Sequence, residues 1–259
     1  MKLVFTGTVA SLLLAAGGAA MAQSNSPEPD YTLTFNVGAV SDYRVRGIAQ
    51  TSFKPAIQAG ADFAHKSGFY AGTFASNVKW VKEFNGATKG SYELDLYGGF
   101  KDAITATTSY DVGLITYRYP GNNSGAAGTP GAGAFANAST TEIYGALTYK
   151  IYTLKYNRSL TNFLGNLNSK GSQYFDLSAA IDLGTGFTLT PHIGRQLVPH
   201  QALPADYTDV ALTLAKDMGG GLVLTGALMD TNAKRSFYTD LNGHYLGRGT
   251  VVLGAKYTF

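Results

Sequence analysis

The chain contains no cysteine, so neither a disulfide framework nor a thiolate metal site is available to it. Charge is scarce too: Asp, Glu, Lys and Arg make up only 14% of 259 residues, and the formal net charge is +3. So slight a balance gives no hold on a phosphate backbone, and nucleic acid is set aside as a partner. Beyond the N-terminal segment no run of eighteen apolar residues occurs, which excludes a helical membrane span. The histidines are four, His65, His192, His200 and His244, too dispersed to propose a metal site, and no cofactor is expected. The Gly219-Gly220-Gly221 run precedes no helical pattern, so it reads as a turn rather than a phosphate loop.

What the chain has instead is 32 Gly, 17 Tyr and 14 Phe, a composition unusual for a soluble enzyme. It opens with an export pattern. Lys2 supplies a positive start, Val9 to Ala16 a short apolar stretch, and Ala20-Met21-Ala22 a small-residue cleavage site. Residues 1–22 are therefore expected to be a signal peptide, with Gln23 the first mature residue. Gln23 is not Cys, which argues against a lipoprotein anchor. Residues 23–259 are expected to form one domain, and loss of Lys2 leaves them a net charge of +2.

That domain carries a period of two. From Tyr31, the positions Leu33, Phe35, Val37, Ala39, Tyr43 and Val45 are uncharged, while Thr32, Thr34, Asn36, Asp42, Arg44 and Arg46 hold the polarity. Side chains alternate across a strand, so such a segment has one apolar and one polar face. The pattern predicts twelve strands, near 31–46, 55–65, 69–79, 91–101, 107–119, 141–150, 152–160, 172–183, 186–195, 206–216, 220–230 and 247–259. Short turns at 65–68, 150–151, 183–186 and 217–220 alternate with longer loops at 47–54, 80–90, 120–140, 161–171, 196–205 and 231–246. Short turns on one rim and long loops on the other are the arrangement of a Gram-negative outer-membrane barrel. The loop at 120–140 is mostly Gly, Ala, Asn and Ser, and is expected to be mobile. Tyr43, Phe63, Tyr70, Phe100, Tyr152 and Phe187 are expected in interfacial girdles.

Alternation alone does not separate a barrel from a soluble sandwich. The last strand favours the barrel: Val251, Leu253, Ala255, Tyr257 and Phe259 form an apolar row ending on an aromatic residue. Tyr257 and Phe259 look like the signal read by the outer-membrane assembly machinery. The fold class expected is all-β, a transmembrane antiparallel up-and-down β-barrel of about 12 strands, with outer-membrane lipids around it.

A family resemblance runs through residues 31–121. Ser41-Asp42-Tyr43-Arg44-Val45-Arg46-Gly47-Ile48-Ala49-Gln50-Thr51 resembles the hallmark segment of the TorF-family porins, also called Gcw_chp proteins. Pro55 to Asp62, Gly68 to Val78, Glu93 to Gly99 and Tyr117 to Gly121 follow in the family's order. Phe74 stands where Trp is usual, and Ala49 where Ser is. The resemblance implies an outer-membrane barrel and leaves the solute open.

Twelve strands at about 4.8 Å spacing and about 40° tilt give a backbone radius of about 12 Å. By strand parity Asp42, Arg44 and Arg46 face the lumen beside Asp62, Glu93 and Asp95. This cluster either pairs internally to brace the wall or helps select solutes. Inward Gly38, Gly60 and Gly99 favour an open interior. The function expected is passive diffusion of small hydrophilic solutes through a porin of the cell outer membrane. The alternatives are a narrow substrate-specific channel and a closed structural or adhesive barrel. An outer-membrane hydrolase would need a Ser/His set, but only His192 lies within a strand, where it reads as a polar lumen residue, so no enzyme activity is expected.

Overall fold

The computed structural model describes residues 29–259, so the signal peptide expected over residues 1–22 lies outside the described residues. Twelve strands follow one another: β1 (Tyr31–Val40), β2 (Ala56–His65), β3 (Phe69–Asn77), β4 (Tyr92–Thr105), β5 (Thr108–Arg118) and β6 (Thr140–Tyr149) make one half. The other half is β7 (Tyr152–Ser159), β8 (Gln173–Ala179, resumed at Ile181–Gly184), β9 (Phe187–Leu197), β10 (Tyr207–Asp217), β11 (Leu222–Thr231) and β12 (Thr250–Thr258). Each pairs antiparallel with its sequence neighbours, and β1 pairs with β12, from Asn36 opposite Thr258 to Val40 opposite Gly254. The sheet is therefore a closed, up-and-down, twelve-stranded barrel.

Closure is a backbone matter. Phe35 and Phe259 exchange both main-chain hydrogen bonds across the seam at 2.9 Å, which leaves no free edge there. The rings of Phe35 and Phe259 stack at 6.0 Å, and Tyr257 stacks on Phe259 at 5.9 Å.

The two-residue period places the side chains. Leu33, Phe35 and Val37 on β1, Ile57 on β2, Leu96 on β4, Leu212 and Leu214 on β10, and Val251 and Leu253 on β12 project outward and are exposed. An apolar band on the outside of a closed barrel suits hydrocarbon rather than water. Arg118, Arg158 and Arg195 also point outward, but all three lie toward the strand ends that carry the long loops. There a lipid-facing arginine costs little.

Several expectations need correction. The first strand stops at Val40, not at 46. Residues 41–55, here called L1, leave the wall and contain a small hairpin of Arg44–Val45 with Ile48–Ala49. The loop at 78–91 holds a helical turn, α1 (Trp80–Glu83). The loop between β5 and β6, expected to be mobile, is instead docked on its neighbours. Phe135 lies 5.7 Å from the Phe84 ring and bridges to Asn166, and Ala136 N–H donates to the Gly165 carbonyl at 2.7 Å. A loop poor in apolar residues is held here by main-chain hydrogen bonds and one aromatic anchor. Of the expected girdle residues, Tyr43 is buried within L1 and Tyr70 faces the lumen, while Phe63 and Tyr152 are exposed outward.

The seam makes a prediction. Phe259→Asp should lower the folded fraction, read as heat-modifiable gel migration, far more than a comparable change in the loop between β5 and β6. Equal folded fractions would show that the terminal pairing is dispensable for closure.

Candidate functional site

The site is the interior of the long-loop rim, where L1 turns back into the barrel. Arg46 and Gly47 occupy the two central positions of the L1 hairpin with φ of 50° and 77°. Positive φ at both positions is what a tight two-residue hairpin turn demands, and glycine meets it without strain. Gly47 is also pressed against the wall: a Cβ there would stand 2.5 Å from Thr231 Cγ2 and 2.9 Å from Asp209 Cβ.

L1 is knitted to itself and to its surroundings. Arg44 donates from Nε to Asp42 at 2.8 Å and from Nη1 to the Gly47 and Arg248 carbonyls, also at 2.8 Å. Gln50 N–H donates to the Tyr43 carbonyl, and Lys79 N–H to the Gln50 carbonyl, which ties L1 to α1. Ser41 N–H donates to the Leu253 carbonyl at 2.8 Å, fixing the base of L1 to β12. Tyr43, Trp80, Val81 and Tyr119 then share one apolar cluster, and Ile48, Ala49, Tyr207, Tyr238 and Leu246 share another. The interior at this rim is thus filled by packed side chains.

Arg46 carries L1 across to the far wall. Its guanidinium donates from Nη2 to Glu142 on β6 at 2.6 Å and from Nη1 to Gln196 on β9 at 2.7 Å, and lies 4.4 Å over the Tyr174 ring of β8. Glu142 is 1% exposed and also accepts from Asn157 at 3.1 Å and Ser159 at 3.3 Å. Burial works against the Arg46 charge, yet the adjoining Glu142 carboxylate more than offsets it, so the pKa lies above the ordinary arginine value. A second tie runs from Tyr43, whose hydroxyl donates to Glu93 on β4 at 2.7 Å. Burial, reinforced by Glu93 and Asp95, pushes the Tyr43 phenol well above its usual pKa, so it remains a neutral donor.

Below this layer the wall is polar and cross-braced. Tyr97 donates to Asp62, which also accepts from Asn36 at 3.4 Å; Tyr70 contacts both Asp111 and Tyr144. Lys155 Nζ lies 4.3 Å over the Tyr144 ring. His192 bridges two carboxylates, Nδ1 to Asp176 at 3.0 Å and Nε2 to Asp209 at 2.8 Å, with the Tyr174 hydroxyl beside it. Among the described residues no group of three or more His, Cys, Asp or Glu side chains is arranged to hold a metal.

The six expected lumen residues do not form one cluster. Asp42 and Arg44 pair with each other inside L1; Arg46 reaches away to Glu142; Glu93 and Asp95 stand side by side on β4 next to Tyr43; Asp62 belongs to the separate Tyr97 group. Asp42, Arg44 and Arg46 are therefore interior because L1 folds inward, not because they alternate on a strand. The inward glycines do not signal open space either. A Cβ at Gly38 or Gly60 would stand 2.9 Å from a carbonyl of the neighbouring strand, and Gly99 lies under the Tyr70 phenol. Sequence reasoning passed over Glu142, Gln196, Tyr174, Asp176 and Asp209. Their inward parity on well-formed strands was the available signal.

The family model described as "Bacterial protein of unknown function (Gcw_chp)" matches residues 22–259. The chain belongs to this family. No curated protein matches it in sequence. Among solved structures, this family member resembles the KdgM porin at 6% identity and a TM-score of 0.55, over 87% of this chain and 99% of that one. The same porin has been solved in complex with disordered oligogalacturonate. The NanC porin is similar at 9% identity and a TM-score of 0.53, over 87% and 99% of the two chains. A deletion mutant of the TodX monoaromatic hydrocarbon channel is similar at 13% identity and a TM-score of 0.51, over 90% and 91%. At such identities the likeness is one of fold.

The Arg46–Glu142 pair can be measured by a double-mutant cycle of Arg46→Ala and Glu142→Ala in denaturant unfolding of the refolded barrel. Removing one partner of a buried pair strands the other, so a coupling of about 1–3 kcal/mol is expected. A cycle that closes to within about 0.5 kcal/mol would deny the pair a part in seating L1. Gly47→Val should unseat L1 while leaving the barrel closed, read as faster protease cleavage within 41–55 at unchanged heat-modifiable migration. Unchanged cleavage would show that L1 tolerates a side chain at its tip.

Proposed function

We propose that the protein is a narrow, selective channel of the outer membrane, in which L1 sets the constriction through which small solutes pass. The observation that carries the reading is Arg46, which joins a loop entering from β1 to Glu142 and Gln196 on the opposite wall. A wide, unselective pore does not fit a rim packed with Tyr43, Trp80 and Tyr207. The barrel fold, its exposed apolar band and its likeness to porins support the membrane placement, with surrounding lipid and with assembly by the outer-membrane machinery. On this reading the chain is a porin of the TorF type.

Charge in the lumen bears on the solute. Asp42, Asp62, Glu93, Asp95, Asp111, Glu142, Asp176 and Asp209 outweigh Arg44, Arg46, Lys101, Lys155, Lys256 and His192. An acid-rich wall attracts cations and repels anions. Neutral or cationic small solutes therefore suit this lumen better than an acidic chain such as the oligogalacturonate held by KdgM. No enzymatic step is part of the reading.

Planar-bilayer recording of the purified protein tests it. The wild type should give small-conductance channels whose reversal potential in a salt gradient has the sign of cation preference. Arg46→Ala should raise single-channel conductance about two- to fivefold and strengthen the cation preference, since a positive charge leaves the wall. Absence of channels from both proteins would favour a closed structural barrel. Large, unselective channels in the wild type would favour the general porin.

A further inference from the structure

Three arginines stand on the outer surface of the barrel. Arg118 on β5 lies opposite Leu94, Arg158 on β7 opposite Ile143 and Gln173, and Arg195 on β9 opposite Phe175 and Thr208. Residues directly opposite one another in an antiparallel sheet share a face, so all three project with the outward apolar set. Each falls within the last three residues of its strand, at the long-loop rim. Alternate strands carry them, which makes a row along one side of the barrel. Toward the same rim β1, β3 and β12 present Ala39, Asn77 and Val251 on the outer face, so the row is confined to that side.

None of the three takes part in an ion pair among the described residues. Arg195 donates from Nη1 to the neutral Thr208 hydroxyl at 3.2 Å. Gln173 on β8 stands between Arg158 and Arg195, and its Oε1 accepts from the Tyr156 hydroxyl at 2.9 Å, which leaves its amide NH2 to donate. With strands about 4.8 Å apart and a two-residue offset, Arg158 and Arg195 are about 12 Å apart at the backbone. Their side chains are long enough to reach one headgroup. On the same strands Leu154, Phe175, Leu177 and Ile193 form an exposed apolar bed deeper in the wall. The exposed acids beyond Arg195, Asp206 and Asp230, each already accept a main-chain N–H, from Val198 and Thr231.

A guanidinium at the edge of hydrocarbon with no carboxylate beside it calls for an anion, and its planar fork matches phosphate oxygens. We propose that Arg158, Arg195 and Gln173 bind the phosphate of a lipid in the leaflet surrounding the long loops, with Arg118 extending the row. The acyl chains lie on Phe175, Leu154 and Ile193. A free phosphate would leave this apolar bed unused, whereas a lipid satisfies the charge and the bed together. The site rests on the membrane placement proposed above and not on conduction through the lumen.

Native mass spectrometry of the refolded full-length barrel in detergent counts the bound lipid. The probes are lipid A, whose sugars carry phosphates, the same lipid dephosphorylated, and inorganic phosphate. Lipid A should bind at least about tenfold more tightly than its dephosphorylated form, because each basic group near a membrane surface contributes about fivefold. Inorganic phosphate should neither bind nor displace lipid A at matched concentration. Arg158→Gln with Arg195→Gln should weaken lipid A about tenfold or more at unchanged heat-modifiable migration, while Lys150→Gln at the opposite rim should not. Equal binding of the two lipids, or undiminished binding to the folded double variant, would overturn the proposal. Displacement by inorganic phosphate would make this a phosphate site and remove the lipid. Should the double variant fail to fold, the three probes decide on the wild type alone. The membrane reading fails separately, if the wild type inserts into vesicles of no composition.

Discussion

A strand that ends in hydrocarbon with unpaired N–H and C=O groups is too costly to persist, and every other feature of this chain is arranged around meeting that constraint. The reciprocal hydrogen bonds between Phe35 and Phe259 are where it is met, since they join the first strand to the last and turn an open sheet into a cylinder. Once the cylinder is closed, strict alternation leaves each side chain two destinations. Leu33, Ile57, Leu96 and Leu253 go out, and Asn36, Asp62, Glu93 and Lys256 go in. The polar content of the strands is thereby concentrated into a narrow interior, where carboxylates must find partners at short range. Tyrosines supply many of them: Tyr97 for Asp62, Tyr70 for Asp111, Tyr43 for Glu93 and Tyr174 for Asp209.

L1 solves a second problem created by closure. A twelve-stranded cylinder has a mouth, and its upper wall carries Glu142, Glu93 and Asp209 facing inward and almost fully buried. Without L1 these acids would meet water; with it they meet Arg46, Tyr43 and the tip at Gly47. The hairpin is able to bring a guanidinium there because its turn is tight and because Gly47 has no side chain to strike Asp209. Selectivity in the proposed channel thus arises from this folded-in segment. One face of L1 presents Arg46 to the polar wall, and the other presents Ile48 and Ala49 to the aromatic loops.

Much of the architecture was legible in the residues. The twelve strands, their long and short connections and their in–out parity follow from a period of two that depends only on local backbone geometry. The misreading of residues 41–46 as strand has a physical cause: L1 also lies between an apolar and a polar surface, so Asp42-Tyr43-Arg44-Val45-Arg46 alternates as a strand would. The glycines at 38, 60 and 99 were misjudged for a related reason. Their lack of a side chain answers close approach by a neighbouring strand or a tyrosine ring, which no single segment reveals.

The sequence by itself determined which residues face lipid, how many strands close the barrel and on which rim the long loops lie, because each is set by alternation and by turn length along a continuous stretch of chain. Only the tertiary structure decided what Arg46 holds and whether the mouth is filled. Arg46 and its partners Glu142 and Gln196 are separated by 96 and 150 residues, and only closure together with the inward fold of L1 brings them within hydrogen-bonding distance. Electrostatic pairing at 2.6 Å depends on position in space, and a one-dimensional pattern carries no record of which inward residue will stand opposite which.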